Sequence, residues 1–205
     1  ISTSMLSKSL EKLSSGYRIN HASDDAAGLA VSEKMRFQIA GLGQAQRNVM
    51  DGISLVQVAE AGLQQTTDIL QRIRVLSVQA ANGTLASSDR LLIQTELNQL
   101  VSEIDRMQTT VTFNGVQLLA TASTAAGGSI QLAVGADAGQ TLSIQLSQIT
   151  STSLSINSLD ITTTTGAAAA ISGIDSALTS VLSLRATMGA AQNRLESTYN
   201  FLGIQ

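Results

Sequence analysis

Cysteine, proline and tryptophan are all absent from this chain, and histidine occurs once, as His21. Without cysteine there is no disulfide scaffold, no thiolate metal site and no cysteine nucleophile, and one imidazole leaves almost no room for a histidine-rich metal centre. Aromatic residues make up 2%, as two Tyr and three Phe, although 43% of the chain is hydrophobic. The apolar content is therefore Ala, Leu, Ile and Val, which fill narrow helix–helix seams better than a wide globular core. Charge is close to balanced, with 12 Lys and Arg against 15 Asp and Glu. That excludes a dedicated nucleic-acid binder, and no polybasic run marks a membrane surface. No stretch approaches the ~20 apolar residues of a membrane span. The start, Ile1 to Lys8, has no basic region followed by an apolar run and no initial Met. It predicts no cleaved signal peptide. Helical repeats reach almost to both termini, so the 205 residues read as a chain cut at both ends.

What the sequence does contain is helical periodicity. Leu6, Leu10, Leu13 and Tyr17 follow the spacing of an a/d seam, and Gly16 reads as the stop of that first helix. Ser23-Asp24-Asp25 then supplies a capping side chain and carboxylates at a helix start. From there Met35, Leu42, Val49, Val56, Leu63 and Leu70 lie seven apart, with Ile39, Ala45, Ile53, Ala59 and Ile73 between them. The register predicts a helix of about 55 residues, roughly 80 Å long, ending at Asn82-Gly83. Gly41, Gly43, Gly52 and Gly62 interrupt it at a cost of up to ~1 kcal/mol each, which predicts close approach of a neighbouring helix. Ser87-Ser88-Asp89 opens a third helix with Ile93, Leu97, Leu100, Ile104, Met107 and Val111 on one stripe, broken by Phe113-Asn114-Gly115.

The middle changes character. Between Arg106 and Asp175 the only charges are Asp137 and Asp160. Ile130, Leu132 and Val134 alternate with small or polar residues, as do Leu142, Ile144 and Leu146, and Gly135–Gly139 separates them. This predicts a β-hairpin, with Leu154 and Ile156 as a third, shorter strand. Thr162–Thr165 reads as a loop, with a last helix from Ala167 carrying Ile174, Val181, Met188, Leu195 and Leu202 in strict heptads, joined by Ile171, Leu178 and Leu184. The fold class is mainly α with a small β region: an elongated antiparallel helical bundle with a β-hairpin.

No constellation carries catalysis. His21 beside Asp24 and Asp25 lacks a nucleophile elbow or oxyanion loop and reads as a polar residue in a helix connection. Gly127-Gly128 has neither phosphate-loop spacing nor a Lys and reads as a hinge. Asn82-Gly83-Thr84 fits a glycosylation sequon, and its place at a helix end accounts for it. The 26 Ser and 20 Thr offer hydroxyls to a polysaccharide, but without the aromatic platforms such sites use. There is no catalytic residue, metal ligand or cofactor to assign, and the chain reads as a structural or interaction protein.

Longer blocks of sequence resemble a known family. Leu13-Ser-Ser-Gly-Tyr-Arg-Ile-Asn20 with Ala22-Ser-Asp-Asp-Ala-Ala-Gly-Leu-Ala30 resembles the N-terminal signature of bacterial flagellins. Leu70 to Gly83, Glu103 to Arg106, Thr112 to Leu119 and Leu184 to Glu196 resemble later blocks of that family, in the same order. The resemblance implies the rod of antiparallel helices with a β-hairpin called D1. It also implies four regions: 1–20 as a remnant of the terminal D0 layer and linker, 21–120 as N-terminal D1 helices, 121–166 as hairpin and Ser/Thr-rich loop, and 167–205 as the C-terminal D1 helix. Most of D0 and any large outer domain are expected to be missing.

The same resemblance implies a filament subunit for motility. Its seam residues would be Leu42, Val49, Val56, Leu63, Leu70, Ile174, Val181, Met188 and Leu195. Its expected partners are other flagellin subunits, an export chaperone and hook-associated proteins, with no nucleic acid and no membrane insertion. Its expected place is outside the cell, in the flagellum, reached without a cleaved signal peptide. Recognition by Toll-like receptor 5 is implied at Arg72, Leu76, Gln79 and Glu96, where Val75 replaces the family's usual acidic residue. Two other readings stand beside it: a surface protein binding an extracellular polysaccharide through residues 121–165, and a hook-associated junction protein.

Overall fold

The computed structural model describes residues 2–120 and 128–204, which form four helices and two small antiparallel hairpins. Helix α1 spans Ser2–Ser15 and stops at Gly16, whose φ of +72° is the left-handed conformation that glycine adopts without strain. Helix α2 runs from Ala26 to Ala80, 55 residues. Its start is fixed by the Asp25 carboxylate, which accepts the Gly28 N–H at 2.9 Å. Its far end is closed from outside: the buried Arg90 guanidinium donates to the Ala80 carbonyl at 2.8 Å and the Asn82 carbonyl at 2.9 Å. Carbonyls that no helix N–H reaches are thereby satisfied.

Helix α3, Ser87–Thr110, folds back along α2. Arg72 pairs with Glu96, Arg90 caps Ala80, and Val111 lies against Gly62, so the two helices run antiparallel over the C-terminal half of α2. A hairpin too short to read from the sequence follows. Strands β1, Thr112–Phe113, and β2, Val116–Gln117, are joined by Asn114 (φ 50°) and Gly115 (φ 78°). Two consecutive positive φ values are what a type I′ turn requires, hence Asn-Gly.

Strands β3, Ser129–Ala133, and β4, Thr141–Gln145, pair with Ile130 opposite Ile144 and Leu132 opposite Leu142. This hairpin lies along the N-terminal half of α2, beyond the stretch that α3 covers. Leu132 sits over Gly52, Ala136 sits over Gly41, and Asn48 Nδ2 donates to the Ala133 carbonyl at 2.9 Å. Gly41 thus admits the hairpin rather than the helix expected, and Gly52 admits the hairpin with helical Leu195 at 3.5 Å as well. At Gly62 the neighbours are Val111 and Leu119, and at Gly43 a Cβ would meet nothing within 4 Å.

Residues 146–163 form no third strand. Leu154 and Ile156 are buried, but in a chain of turns laid on α3. That path is set by side-chain bonds. Asp105 accepts from the Ser151 N–H and hydroxyl, both at 2.7 Å, and Gln94 bonds the Leu159 carbonyl and the Ile161 N–H. Helix α4 begins at Thr164, three residues before Ala167, because the Thr163 hydroxyl accepts the Gly166 N–H at 3.0 Å and serves as its cap. It runs to Leu202, antiparallel to α2: Asp175 meets Arg74, Arg185 faces Glu60, and Leu195 lies beside Gly52.

Candidate interaction surfaces

The heptad seam residues separate sharply by position. Val49, Val56, Leu63, Leu70, Ile174, Val181, Met188 and Leu195 are each no more than 3% exposed, and Leu42 is half-buried. The intervening seam positions of α4 are alanines, Ala170, Ala177 and Ala191, with Ile171, Leu178 and Leu184 only partly covered. Alanine at those positions lets α2 and α4 approach closely, while the larger residues flank the contact.

The same heptads end in open space at one end of the rod. Met35 and Ile39 continue the α2 register but are 59% and 69% exposed. The reason is geometric. The hairpin tip reaches Gly41, and the last residues of α4 reach Gln46, where Gly203 lies alongside, so neither extends over Met35, while nearer the start of the helix Ile19 packs at Gly28 and Tyr17 lies under Arg36. Val31, Met35 and Ile39, spaced four apart, form one bare stripe. Phe201 and Ile204 are exposed at the adjoining end of the chain. Leu6, Leu10 and Leu13 on α1, and Tyr17 just after it, are likewise more than half exposed. These exposed apolar side chains are the candidate interaction surface of the molecule.

The four residues of the expected receptor set do not share one surface. Arg72 donates two hydrogen bonds to Glu96 Oε1, at 2.6 and 3.0 Å, and Gln79 lies exposed seven residues further on the same side of α2. Leu76, however, is 2% exposed. It follows Ile69 and Ile73 at helical spacing and belongs to the inward face. The exposed neighbour is Val75, at 56%.

The hydroxyl-rich segment is turned to internal use. Thr150 and Ser153 bond each other's backbone N–H groups, Ser151 is held by Asp105, and Thr162 donates to Asp160. Residues 121–127, the first part of that expected sugar face, and Gly127 of the expected hinge lie outside the described residues.

The polar residues near the N-terminus have structural roles. His21 Nε2 lies 2.7 Å from Glu11 Oε1, and Lys8 lies 3.8 Å from Asp24. Desolvation pushes the Asp24 carboxyl up, but backbone N–H donors of Asn20 and His21, with Lys12 and Lys8 nearby, outweigh it and hold the group below its ordinary value. At the other end of α2, the Asp175 hydrogen bond and charge hold the Arg74 guanidinium above its ordinary value. Among the described residues no group of three or more His, Cys, Asp or Glu could hold a metal ion. Asn82 is exposed, and its side-chain oxygen accepts the Thr84 N–H in the turn after α2.

This architecture defines a class: a rod of long helices in heptad seams, with an uncovered apolar overhang at one end. Two family descriptions match the chain, the bacterial flagellin N-terminal helical region over residues 1–124 and the C-terminal helical region over residues 171–205. A flagellar filament core protein of Treponema maltophilum is 45% identical over 215 residues, covering 100% of this chain and 75% of that protein. The crystal structure of Bacillus cereus flagellin is 33% identical with a TM-score of 0.67, over 76% of this chain and 88% of that one. A hook-associated protein of Vibrio parahaemolyticus shares the fold, with a TM-score of 0.73 at 18% identity over 89% of this chain and 94% of that one. The chain belongs to the bacterial flagellin family, a family of structural proteins.

Proposed function

We propose that this chain is a subunit of the flagellar filament and that its apolar overhang is the surface on which neighbouring copies assemble. The observation that carries this is the unbroken register of α2. Seam positions of one register are buried from Val49 onward, half-buried at Leu42 and bare at Ile39 and Met35, and a side-chain pattern built for helix packing requires a partner. One copy's overhang meeting a different surface of the next is a heterologous contact, which generates open helical arrays. Export without a cleaved signal peptide, through a chaperone, and capping by hook-associated proteins accompany this reading. The test is sedimentation under filament-forming conditions of the protein with Met35→Asp and Ile39→Asp. Monomers that stay folded but no longer pellet support the reading, and normal filaments refute it.

Recognition by a receptor of the Toll-like receptor 5 type belongs to the same reading, through the exposed Arg72–Glu96 pair and Gln79, with Leu76 supporting α2 from inside. Receptor-ectodomain binding by Arg72→Ala and Gln79→Ala decides it. A ten-fold or greater loss is expected, and full binding by both variants removes this partner.

A further inference from the structure

Asn-Gly occurs twice in the chain, at Asn82-Gly83 after α2 and at Asn114-Gly115 between β1 and β2, and all four residues are exposed. In such a pair the glycine nitrogen has open access to the asparagine side-chain carbon, because no side chain on the second residue blocks it. The fold treats the two pairs differently. The Asn82 backbone carbonyl accepts the buried Arg90 guanidinium at 2.9 Å and the Leu85 N–H at 3.4 Å. The Asn82 side-chain oxygen accepts the Thr84 N–H at 3.2 Å, which folds the side chain back across the Gly83 nitrogen. The Gly83 N–H itself donates to no group among the described residues, and a Cβ at Gly83 would meet nothing within 4 Å. Among the described residues no charged donor reaches Asn114. Its φ of 50° is fixed by the type I′ turn and by the pairing of Phe113 with Val116, a backbone that a planar imide ring cannot share.

We propose that Asn82 is a self-modifying site, where the turn after α2 drives conversion of the side-chain amide to an aspartyl or isoaspartyl carboxylate. The Gly83 nitrogen gives its proton to a solvent base and attacks Asn82 Cγ. A C–N bond forms, the Cγ–Nδ2 bond breaks, and ammonia leaves from a closed imide ring. Water then opens the ring at either carbonyl, so the net change is one water consumed and one ammonia released. Each charge that develops meets a donor already in place. Negative charge on the Gly83 nitrogen is delocalised onto the Asn82 carbonyl oxygen, which the Arg90 guanidinium holds. The oxyanion that forms on Oδ1 as Cγ becomes tetrahedral is held by the Thr84 N–H. In the isoaspartyl product the main chain runs through Cγ and is one methylene longer, and the carboxylate freed from the old backbone carbonyl lies beside Arg90. The corner between α2 and α3 thereby gains a negative charge that accumulates with the age of the molecule.

The test is peptide mapping of both pairs over time at mildly alkaline pH, in the folded chain and in guanidinium chloride, with isoaspartyl peptides resolved by chromatography. Unfolded, the two pairs are expected to react at similar rates. Folding is expected to accelerate Asn82 about three- to ten-fold and to slow Asn114. Arg90→Gln, which keeps a neutral donor, is expected to lose most of that acceleration, and Arg90→Lys, which keeps the charge, to retain it. A folded parent whose Asn82 reacts no faster than in denaturant overturns the proposal, and that comparison needs no variant. Loosening of the corner alone would make Arg90→Gln react faster than the parent, so that outcome overturns it too, as does an Arg90→Lys variant as slow as Arg90→Gln.

Discussion

Leu132, on the β3–β4 hairpin, lies directly over Gly52, on the long helix α2, so closely that a methyl carbon at position 52 would overlap its Cδ1 atom. The same relationship recurs eleven residues earlier, where a Cβ at Gly41 would lie 2.9 Å from Ala136 Cβ. A strand element is seated on a helix through two gaps in its side-chain cover. This docking ends the covered part of α2 and leaves the overhang bare.

The glycines therefore have opposite substitution signs. Gly43→Ala meets nothing within 4 Å and gains helix propensity, so it is expected to stabilise by about 0.5–1 kcal/mol. Gly52→Ala forces Leu132 aside, with Leu195 at 3.5 Å closing the other way, and is expected to destabilise by about 1–2 kcal/mol net. Urea unfolding of the two variants checks the pair. Equal effects would contradict the hairpin docking.

Position along the heptad also decides the cost of truncation. Leu63→Ala removes a side chain 1% exposed and is expected to cost about 2–5 kcal/mol. Met35→Ala, in the same series but 59% exposed, is expected to change the stability of the isolated subunit by less than about 0.5 kcal/mol. Thermal unfolding of dilute subunits separates the two.

The turns on α3 depend on a few polar bonds rather than on strand pairing. Gln94→Ala leaves the Ile161 N–H and the Leu159 carbonyl without the partner that each has at 2.8–2.9 Å. A loss of about 1–3 kcal/mol is expected. Hydrogen exchange should speed up selectively in residues 147–161, and uniform acceleration across α2 would instead indicate global loosening.

Acid weakens the molecule through carboxylates that are held ionised. The Thr162 hydroxyl and N–H, donating to Asp160, keep that carboxyl below its ordinary value, and the Arg106 side-chain hydrogen bond does the same for Glu103, outweighing desolvation. A lowered folded-state value means stability that is present above about pH 4 and lost as pH falls through the folded value. The melting temperature is therefore expected to decline below about pH 4, and Asp160→Asn should flatten part of that decline while lowering stability at neutral pH.

Much of this was legible in the sequence, because long periodic patterns are hard to mistake. The extent of α2, its start beside Ser23-Asp24-Asp25 and the hairpin on either side of Gly135–Gly139 follow from spacing and capping alone. The α4 seam was harder to read. Alanine fits both a close-packed seam and an exposed helix face, so Ala170, Ala177 and Ala191 gave no signal, and Ile171 and Leu178 drew attention instead. Leu154 and Ile156 alternate like a strand, but the bonds from Asp105 and Gln94 that fold this segment into turns span 46 to 67 residues of sequence. Leu76 matches a motif by residue type, and its 2% exposure shows it turned inward. Met35 and Ile39 continue the apolar register yet stand bare, because periodicity reports which face is apolar and is silent on whether anything covers it.

That uncovered face is where the account is most exposed to test. Electron microscopy of the protein under filament-forming conditions, parent against Met35→Asp with Ile39→Asp, measures it directly. The account predicts filaments from the parent only, with both proteins folded and melting within a few degrees of each other. Filaments of normal length from the double variant would show that the overhang is not where subunits meet.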